Sequence, residues 1–318
     1  MDSVLYIVIP CYKEQEVLHE TASRLQKKME TLILGGTISP KSRVLFVNDG
    51  STDNTWQIIS DLHKGNPLFS GVNLSRNRGH QNALLAGLMI AKEKADMVIS
   101  MDADLQDDIG AVDKMIDKFY AGCDIVYGVR SQRKKDGFFK RFTAESFYRI
   151  MNSLGADTVF NHADYRLMSK RALEGLSGFR EVNLFLRGIV PMIGYKTDIV
   201  EYERGERFAG ESKYPLKKML SFAMEGITSL STKPLHCISA LGFFIFIVSL
   251  FMLVYFIIEW AVGKTVIGWA SVVCSVWAIG GLILLSLGVI GEYIGKIYME
   301  TKARPRFIIQ DILDEEEK

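Results

Sequence analysis

Two aspartates with one residue between them follow a short apolar segment near the middle of the sequence. Residues 97–101 are apolar or small, and the run ends abruptly at Asp102 and Asp104. A continuous apolar run bounded by charge is typical of a strand that is buried on both faces of a sheet. Open α/β sheets place their ligands at the carboxyl edge. Carboxylates at that edge favour a hard cation such as Mg²⁺ or Mn²⁺, bound by one or two carboxylates and the phosphates of a substrate.

Acidic residues also follow two other apolar strands. Residues 4–9 form a run that leads to Glu14, and residues 43–47 form a run that leads to Asp49. Each acid alone is an ordinary turn residue, but acids at the same kind of position indicate one polar crevice. The other predicted elements are strands at 71–74 and 124–129 and helices at 16–32, 56–63, 82–92 and 111–120, with Ser51 or Thr52 capping the second helix. This alternation predicts a mostly parallel sheet with helices on both faces.

Charge and motif content exclude several classes of protein. A net charge of +1 over 318 residues gives no reason to expect a nucleic-acid partner. No Gly-x-Gly-x-x-Gly motif follows the first strand, and no P-loop motif is present, which disfavours dinucleotide and P-loop nucleotide binding. The four cysteines have neither zinc-site nor disulfide-framework spacing.

Two long apolar stretches late in the sequence predict membrane spans. Residues 235–258 and 266–290 are each about 24 residues long, near the roughly 20 that cross a bilayer. Basic residues flank both outer ends, whereas the connecting loop carries only Lys264. The positive-inside rule then places both termini in the cytosol. Apolar residues at helical spacing in 215–234 predict an amphipathic helix that lies in the membrane interface.

Several short motifs lie at the strand ends and further along the chain. They are Pro10-Cys11-Tyr12-Lys13-Glu14, Asn48-Asp49-Gly50-Ser51-Thr52-Asp53, Arg76-Asn77-Arg78-Gly79-His80-Gln81, Asp102-Ala103-Asp104-Leu105-Gln106, Asp164-Tyr165-Arg166-Leu167 and the segment from Arg207 to Tyr214. Together with the paired apolar stretches, they resemble the signatures of glycosyltransferase family 2. The resemblance is closest to its polyprenyl-phosphate branch, which includes dolichol-phosphate mannose synthases and bactoprenol glucosyltransferases.

The resemblance implies a set of site residues. The nucleotide-binding residues would be Pro10, Tyr12, Glu14, Asp49 and Asp102, and the ligands of Mg²⁺ or Mn²⁺ would be Asp102, Asp104 and Gln106. The cations and hydroxyl that hold phosphates of the donor and the lipid would be Arg130, Arg166, Arg207, Ser212 and Lys213. Asp164 is the candidate catalytic base, and a purely orienting role, such as holding Arg166, is the alternative. Asp107 and Asp108 are expected only to face solvent and cap the next helix, and His80 to be structural.

The implied reaction is the inverting transfer of one hexose from a UDP-sugar to polyprenyl (undecaprenyl) phosphate for cell-envelope glycosylation. Glucose is the predicted sugar. GDP-mannose, UDP-N-acetylglucosamine and UDP-galactose are left open as donors. A non-catalytic membrane partner in sugar-lipid export is the other hypothesis, and the intact acidic motifs speak against it.

The same resemblance implies a fold of the α/β class and a division of the chain into four regions. A cytosolic GT-A-type catalytic domain with a nucleotide-sugar site would cover 1–214, the interfacial helix 215–234, a hairpin of two transmembrane helices 235–291, and a cytosolic tail 292–318. Gly281, Gly288, Gly291 and Gly295 give the second span a face that allows close helix contact, within the hairpin or between subunits of a homo-oligomer. The expected location is the cell membrane, with the catalytic domain and both termini in the cytosol.

Overall fold

A computed structural model of the protein describes residues 3–130, 162–203, 231–262 and 268–314. The first elements are β1 (Leu5–Cys11), α1 (Leu18–Leu34), β2 (Arg43–Asn48), α2 (Thr55–Gly65), β3 (Phe69–Leu74), α3 (His80–Lys94), β4 (Met97–Ser100), α4 (Ala111–Tyr120) and β5 (Ile125–Arg130). The later elements are β6 (His162–Ser169), α5 (Lys170–Ser177), α6 (Leu186–Met192), β7 (Thr197–Tyr202), α7 (Lys233–Ala261), α8 (Trp269–Lys302) and β8 (Ile309–Leu313). The alternation of strands and helices up to β5 follows the sequence prediction.

The described strands form one sheet in the order β7-β5-β6-β4-β1-β2-β3-β8. β1 is parallel to β2 and β4, β2 is parallel to β3, and β5 is parallel to β7. β6 runs antiparallel to β4 and β5, and β8 runs antiparallel to β3. The predicted α/β class with a mostly parallel sheet is therefore confirmed. Since β2, β1 and β4 are parallel neighbours, their carboxyl ends lie along one edge.

Helices cover both faces of the sheet because β1 alternates between two apolar layers. Leu5, Ile7 and Ile9 pack in the layer that contains α1, α2 and α4. Tyr6 and Val8 pack in the layer that contains α3, α5 and α6. All 7 residues of β1 are buried, as a central strand of continuous apolar composition should be. Burial on both faces fixes the strand register, and with it the position at which each strand-end acid leaves the sheet.

The start of α2 differs from the prediction. The residue at its N-cap is Asn54, whose side chain makes no capping hydrogen bond. The Ser51 hydroxyl instead accepts a hydrogen bond from the backbone N–H of Lys13 at 3.0 Å. The prediction that Ser51 or Thr52 caps α2 is wrong, because the loop runs on to Asn54 and Ser51 joins two loops at the sheet edge.

The residues after α8 return to the sheet. β8 pairs antiparallel with β3, and Arg306 donates to the carbonyl of Phe179 at 3.1 Å. The region from 292 to 318 that was expected to be only a tail therefore contains the end of α8 and an edge strand. The pairing covers the β3 edge, whose backbone groups would otherwise be open to another chain.

α7 and α8 belong to a second compact unit, which ends at Ala303. α7 has 29 residues and α8 has 34. Among the residues described, one segment, Ala278–Lys302, is long and apolar enough to cross a bilayer, and the apolar segment Lys233–Ile245 is shorter. A second span therefore stays a prediction. Residues 215–230, most of the predicted interfacial helix, lie outside the described residues.

The glycine face predicted for the second span makes no close contact within the described part of the chain. A β-carbon added at Gly281, Gly288, Gly291 or Gly295 would meet no described atom within 4 Å. Packing of this face against the other helix of the same hairpin is therefore not seen, and self-association stays a prediction.

Candidate active site

Two of the strand-end acids, Glu14 and Asp49, line a cavity of about 250 Å³ at one edge of the sheet, called here the strand-end cavity. It is lined by residues at the ends of β1 and β2 and at the entry to α3, namely Pro10, Cys11, Tyr12, Glu14, Asp49, Asn77, Gly79, His80 and Ala83. Pro10, Tyr12, Glu14 and Asp49 were all predicted to bind the nucleotide. Asp102, the remaining residue of that prediction, lies next to the cavity because its Oδ1 is 3.6 Å from Nε2 of His80.

Asp49 holds the loop that forms one wall of the strand-end cavity. Its Oδ1 accepts the backbone N–H of Arg78 at 2.7 Å, and its Oδ2 accepts that of Gly79 at 2.9 Å. Burial raises the pKa of Asp49, and the two backbone donors act against that rise. A carboxylate has about four lone-pair sites, so Asp49 keeps acceptor capacity for a ligand.

The close approach of this loop depends on Gly50. Its φ is +60°, and a β-carbon there would lie 2.4 Å from the carbonyl carbon of Arg76. Only glycine combines this left-handed conformation with the absence of a side chain. The residue beside Asp49 is therefore glycine for a physical reason.

His80 joins the strand-end cavity to two carboxylates. Its Nε2 lies 3.6 Å from Oδ1 of Asp102 and 3.5 Å from Oδ2 of Asp164. Burial lowers the pKa of the imidazole, but the hydrogen bond with Asp164 and the charge of Asp102 outweigh it, so the pKa is raised. His80 thus lies within reach of two acids, which gives a physical reason for the structural role expected from the sequence.

Asp164 is held by two arginines. Nη2 of Arg166 lies 2.7 Å from its Oδ1, and Nη2 of Arg187 lies 3.1 Å from its Oδ2. Burial raises the pKa of Asp164, but the hydrogen bond with His80 and the charges of Arg187 and Arg166 hold the pKa well below its usual range. A catalytic base works best when its pKa is near the working pH. The geometry therefore favours the orienting role of Asp164 over the role of a base.

The two arginines differ in access. The Arg166 side chain is 2% exposed and also donates to the carbonyl of Leu186 at 3.4 Å. Its buried guanidinium does not fit the predicted role of phosphate ligand. The Arg187 side chain is 34% exposed. The sequence analysis did not single out Arg187. Its position as a single cation within the apolar run 184–190 could have indicated a paired arginine, since arginines within apolar surroundings are almost always paired.

Asp102 and Asp104 fit a divalent cation by their chemistry. Both residues are partly exposed, and the buried Ala103 lies between them. Removal from solvent raises the pKa of Asp102 to about 6, His80 opposes this rise, and the charges of Asp107, Asp164 and Asp104 add to it. A cation would neutralise this mutual repulsion. No three His, Cys, Asp or Glu side chains among the described residues form a metal-binding group, so substrate phosphates would complete the coordination.

Gln106, the third predicted metal ligand, is turned away from this cavity. Leu105 has a φ of +58°, and Oδ1 of Asp104 accepts the backbone N–H of Gln106 at 3.2 Å. Gln106 is buried and lines a neighbouring cleft of about 770 Å³ beside α1. The structure therefore brings Asp102 and Asp104 together and leaves Gln106 in a different cleft.

Asp107 is buried, which contradicts the expectation that it faces solvent. Its Oδ1 accepts the Tyr202 hydroxyl at 2.6 Å and lies 3.7 Å from Nη2 of Arg130. These contacts with β5 and β7, which are distant in the sequence, account for the burial of Asp107. Asp108 is exposed, as expected, and accepts the backbone N–H of Gly110 at 2.8 Å. It does not cap α4, because the N-cap residue is Gly110 and no side chain makes a capping hydrogen bond there.

The predicted phosphate ligands are described only in part. Nε of Arg130 donates to the Tyr202 hydroxyl at 3.2 Å, and its side chain is 26% exposed. Arg130 is therefore engaged in the contact between β5, β7 and the loop after β4. Arg207, Ser212 and Lys213 lie outside the described residues.

Comparison with known proteins identifies the class of enzyme. The model of the family named Glycosyl transferase family 2 matches residues 6–177, which run from β1 into the last turn of α5. The protein therefore belongs to glycosyltransferase family 2.

Individual relatives cover almost the whole chain. The glycosyltransferase YkoT of Bacillus subtilis (strain 168) is 52% identical over 314 residues, which cover 98% of this chain and 93% of the relative. The bactoprenol glucosyl transferase of Shigella phage SfV is 40% identical over 311 residues, which cover 96% of this chain and 97% of the relative. Among solved structures, the mannosyltransferase PcManGT from Pyrobaculum calidifontis in complex with GDP-Man and Mn²⁺ has a TM-score of 0.48 and 18% identity, and the match covers 71% of this chain and 61% of that one.

Proposed function

We propose that this enzyme transfers one glucose from UDP-glucose to undecaprenyl phosphate, with inversion at the anomeric carbon, at the cytosolic face of the cell membrane. The observation that carries the proposal is the strand-end cavity, in which the predicted nucleotide residues adjoin a cluster of carboxylates. The bactoprenol glucosyl transferase of phage SfV, which aligns with 96% of this chain, supports the choice of lipid and sugar. The product would serve cell-envelope glycosylation.

The nucleoside of the donor would lie in the strand-end cavity. Tyr12 is 44% exposed and provides an aromatic surface on which a base can stack. Asp49 has acceptor capacity left for an N–H of the base, because its two bonds to the Arg78–Gly79 backbone use only part of it. Asp102 would lie near the ribose and the diphosphate.

Asp102 and Asp104 would hold Mg²⁺ or Mn²⁺ together with the phosphates of the donor. When bound, the cation neutralises the charge that builds on the departing nucleotide. Without the cation, the two carboxylates would repel the phosphate oxygens of the donor. His80 limits the repulsion between Asp102 and Asp164 by its position between them.

The acceptor needs no strong base. A phosphate monoester has a second pKa near 6, so its oxygens are largely ionised at neutral pH. One such oxygen would attack the anomeric carbon on the side opposite the nucleotide, which inverts that centre. Asp164 would keep Arg187 and His80 in place, and Arg187 is a partly exposed guanidinium suited to an incoming phosphate.

The acceptor lipid would reach the site from the cytosolic leaflet. α7 and α8 are proposed to be the two spans, with the interfacial helix at 215–234 between the catalytic domain and the first of them. Arg207, Ser212 and Lys213 are proposed to bind the phosphates of the donor or the lipid. Basic residues on the outer flanks of the two apolar stretches support a topology with both termini in the cytosol, by the positive-inside rule.

A donor screen tests this function. Purified full-length protein in detergent is incubated with Mn²⁺, undecaprenyl phosphate and one of four radiolabelled donors, UDP-glucose, UDP-N-acetylglucosamine, UDP-galactose or GDP-mannose. The proposal predicts organic-extractable label with UDP-glucose and a β-linked product by NMR, since the donor is α-linked. If only another donor gives extractable label, glucose is not the sugar that is transferred. An α-linked product would exclude inversion. Label that stays in the aqueous phase with every donor would refute the proposal.

A further inference from the structure

Four residues lie side by side across the sheet at the edge that carries the strand-end cavity. Cys11 of β1 is paired with Asn48 of β2, Asn48 with Asn73 of β3, and Asn73 with Asp311 of β8. Residues directly opposite each other on neighbouring strands present their side chains on the same face. The row therefore runs from a residue that lines the cavity to the edge strand that follows α8.

Side-chain hydrogen bonds connect three members of this row. Nδ2 of Asn48 donates to Oδ1 of Asn73 at 2.8 Å, and Nδ2 of Asn73 donates to Oδ2 of Asp311 at 3.0 Å. We call these three residues the amide relay. Asp311 is the acceptor at its end, and a carboxylate is a stronger acceptor than a neutral carbonyl.

At the end opposite Asp311, the amide relay is bonded to the loop that contains Asp49. Oδ1 of Asn48 accepts the backbone N–H of Ser51 at 3.3 Å. The Ser51 hydroxyl in turn accepts the backbone N–H of Lys13 at 3.0 Å. The relay is therefore bonded directly to the loop after β2 and, through Ser51, to the loop after β1. Both loops contribute residues to the lining of the strand-end cavity.

Because the two amides are buried, their orientations are fixed by the hydrogen bonds that they make. Asn48 is 2% exposed and Asn73 is 8% exposed. A buried amide is costly unless its groups are hydrogen-bonded, so each asparagine is held in the orientation that its neighbour accepts. The exposed Asp311 accepts the N–H of Asn73 and thereby sets the direction of the two bonds inside the sheet.

Other contacts already dock the C-terminal segment on the sheet. Arg306 donates to the carbonyl of Phe179, and Asp314 is paired with Lys94 of α3. The backbone ladder between β8 and β3 runs from Leu313 back to Ile309. β8 is thus held to the sheet by contacts other than the Asp311 side chain, which bonds to the buried Asn73.

We propose that Asp311 is a positioning residue for the donor site, which acts through Asn73 and Asn48 on the loop that carries Asp49. The inference rests on the proposed function, because it assigns a nucleoside diphosphate to the strand-end cavity. It gives the C-terminal strand a part in substrate affinity in addition to its part in covering the sheet edge.

The experiment compares the full-length wild type with three variants in detergent. Asp311→Ala removes the acceptor, Asp311→Asn keeps an acceptor oxygen, and Asp314→Ala removes the neighbouring ion pair of the same segment. Calorimetry gives the Kd for UDP with Mn²⁺, thermal unfolding gives Tm, and steady-state kinetics gives KM for each substrate.

Asp311→Ala is expected to raise the Kd for UDP and the KM for the donor by about fivefold, the effect of losing one hydrogen bond. The KM for undecaprenyl phosphate should not change. Asp311→Asn should restore most of the affinity, and Asp314→Ala should bind UDP as the wild type does even where its Tm is lower.

Three results would overturn the inference. They are an unchanged Kd for Asp311→Ala, a loss of UDP affinity in Asp314→Ala that matches its loss of Tm, and a failure of Asp311→Asn to restore binding. A wild type that binds no UDP is a separate result, since it would refute the proposed donor site itself and the inference with it.

Discussion

Arg187 holds Asp164 through two nitrogen atoms, with Nη2 at 3.1 Å from Oδ2 and Nε at 3.3 Å from Oδ1. This bidentate pair connects α6 to β6 at the edge where the strand-end cavity opens. Because Asp164 is also bonded to the buried Arg166, its charge is satisfied within the protein. The Arg187 side chain is still 34% exposed, and its charge acts on the pKa of His80, so the pair positions a cation near a residue that lines the strand-end cavity.

Replacement of Arg187 should therefore reduce the transfer rate. Arg187→Ala is expected to lower kcat/KM for undecaprenyl phosphate by about 10- to 100-fold, which corresponds to the loss of hydrogen bonds to a charged group. Arg187→Lys should recover little of this, because lysine cannot make the bidentate contact.

Arg171→Ala is the matched control for this prediction. Arg171 contacts Asp124 with the same two nitrogens, but Asp124 precedes β5 at the opposite edge of the sheet. The control should keep its kcat/KM. Equal losses in the Arg187 and Arg171 variants would show that Arg187 has no special part in the reaction.

Gly50 should tolerate no side chain. Gly50→Ala places a β-carbon against the backbone of Arg76 and Asn77, so the loop bonded to Asp49 must move. We expect a loss of more than about 2 kcal/mol of stability, beyond the 1–2 kcal/mol of left-handed backbone strain alone, together with weaker UDP binding. Thermal unfolding and calorimetry measure the two effects.

Gly36→Ala provides the control for backbone strain. Gly36 also has a positive φ, +65°, but a β-carbon there meets nothing within 4 Å. It should lose about 1–2 kcal/mol and bind UDP normally. If the two alanine variants bind UDP equally well, the loop after β2 is not part of the donor site.

The local pattern of the sequence predicts much of the fold and less of the site. α4 was predicted with the bounds that the structure has, Ala111–Tyr120, because its apolar spacing and its flanking breaks are local. β8 was missed because its five residues are stabilised by β3, and Asp311 is 238 positions away from Asn73. Arg187 of α6 was missed because its partner, Asp164 of β6, is 23 positions away in the sequence. Asp107 was misread because its partner Tyr202 is 95 positions away.

The pH dependence of stability should show the contribution of Asp124. Burial raises the pKa of this carboxyl, but hydrogen bonds from Arg171 and Ser169 and the charge of Arg171 lower it by more, so the pKa in the folded state is below its ordinary value. A carboxyl whose pKa is lowered in the folded state stabilises the fold at any pH above its pKa in the unfolded state, which is near 3.9. This contribution is lost as the pH falls through the pKa of the folded state.

Asp124→Asn tests this sign. At pH 7 the variant should be less stable by about 1 kcal/mol, a modest value because Arg171 is solvent-exposed. As the pH falls below about 3.9 and through the lowered pKa of the folded state, its Tm should approach that of the wild type, since Asp124 loses its charge once it is protonated. A difference in Tm that does not shrink as the pH falls over this range would contradict the assignment.

The most direct test of the account compares Asp104→Asn with Asp108→Asn in the transfer of radiolabelled glucose from UDP-glucose to undecaprenyl phosphate with Mn²⁺. The two carboxylates lie in one loop, but Asp104 is close enough to Asp102 for its charge to raise the pKa of Asp102, whereas Asp108 is exposed and bonded to Gly110. We predict that Asp104→Asn loses more than about 100-fold of the organic-extractable label, and that Asp108→Asn stays within about twofold of the wild type. Equal label from the two variants would contradict the claim that the acids at the sheet edge form the catalytic site.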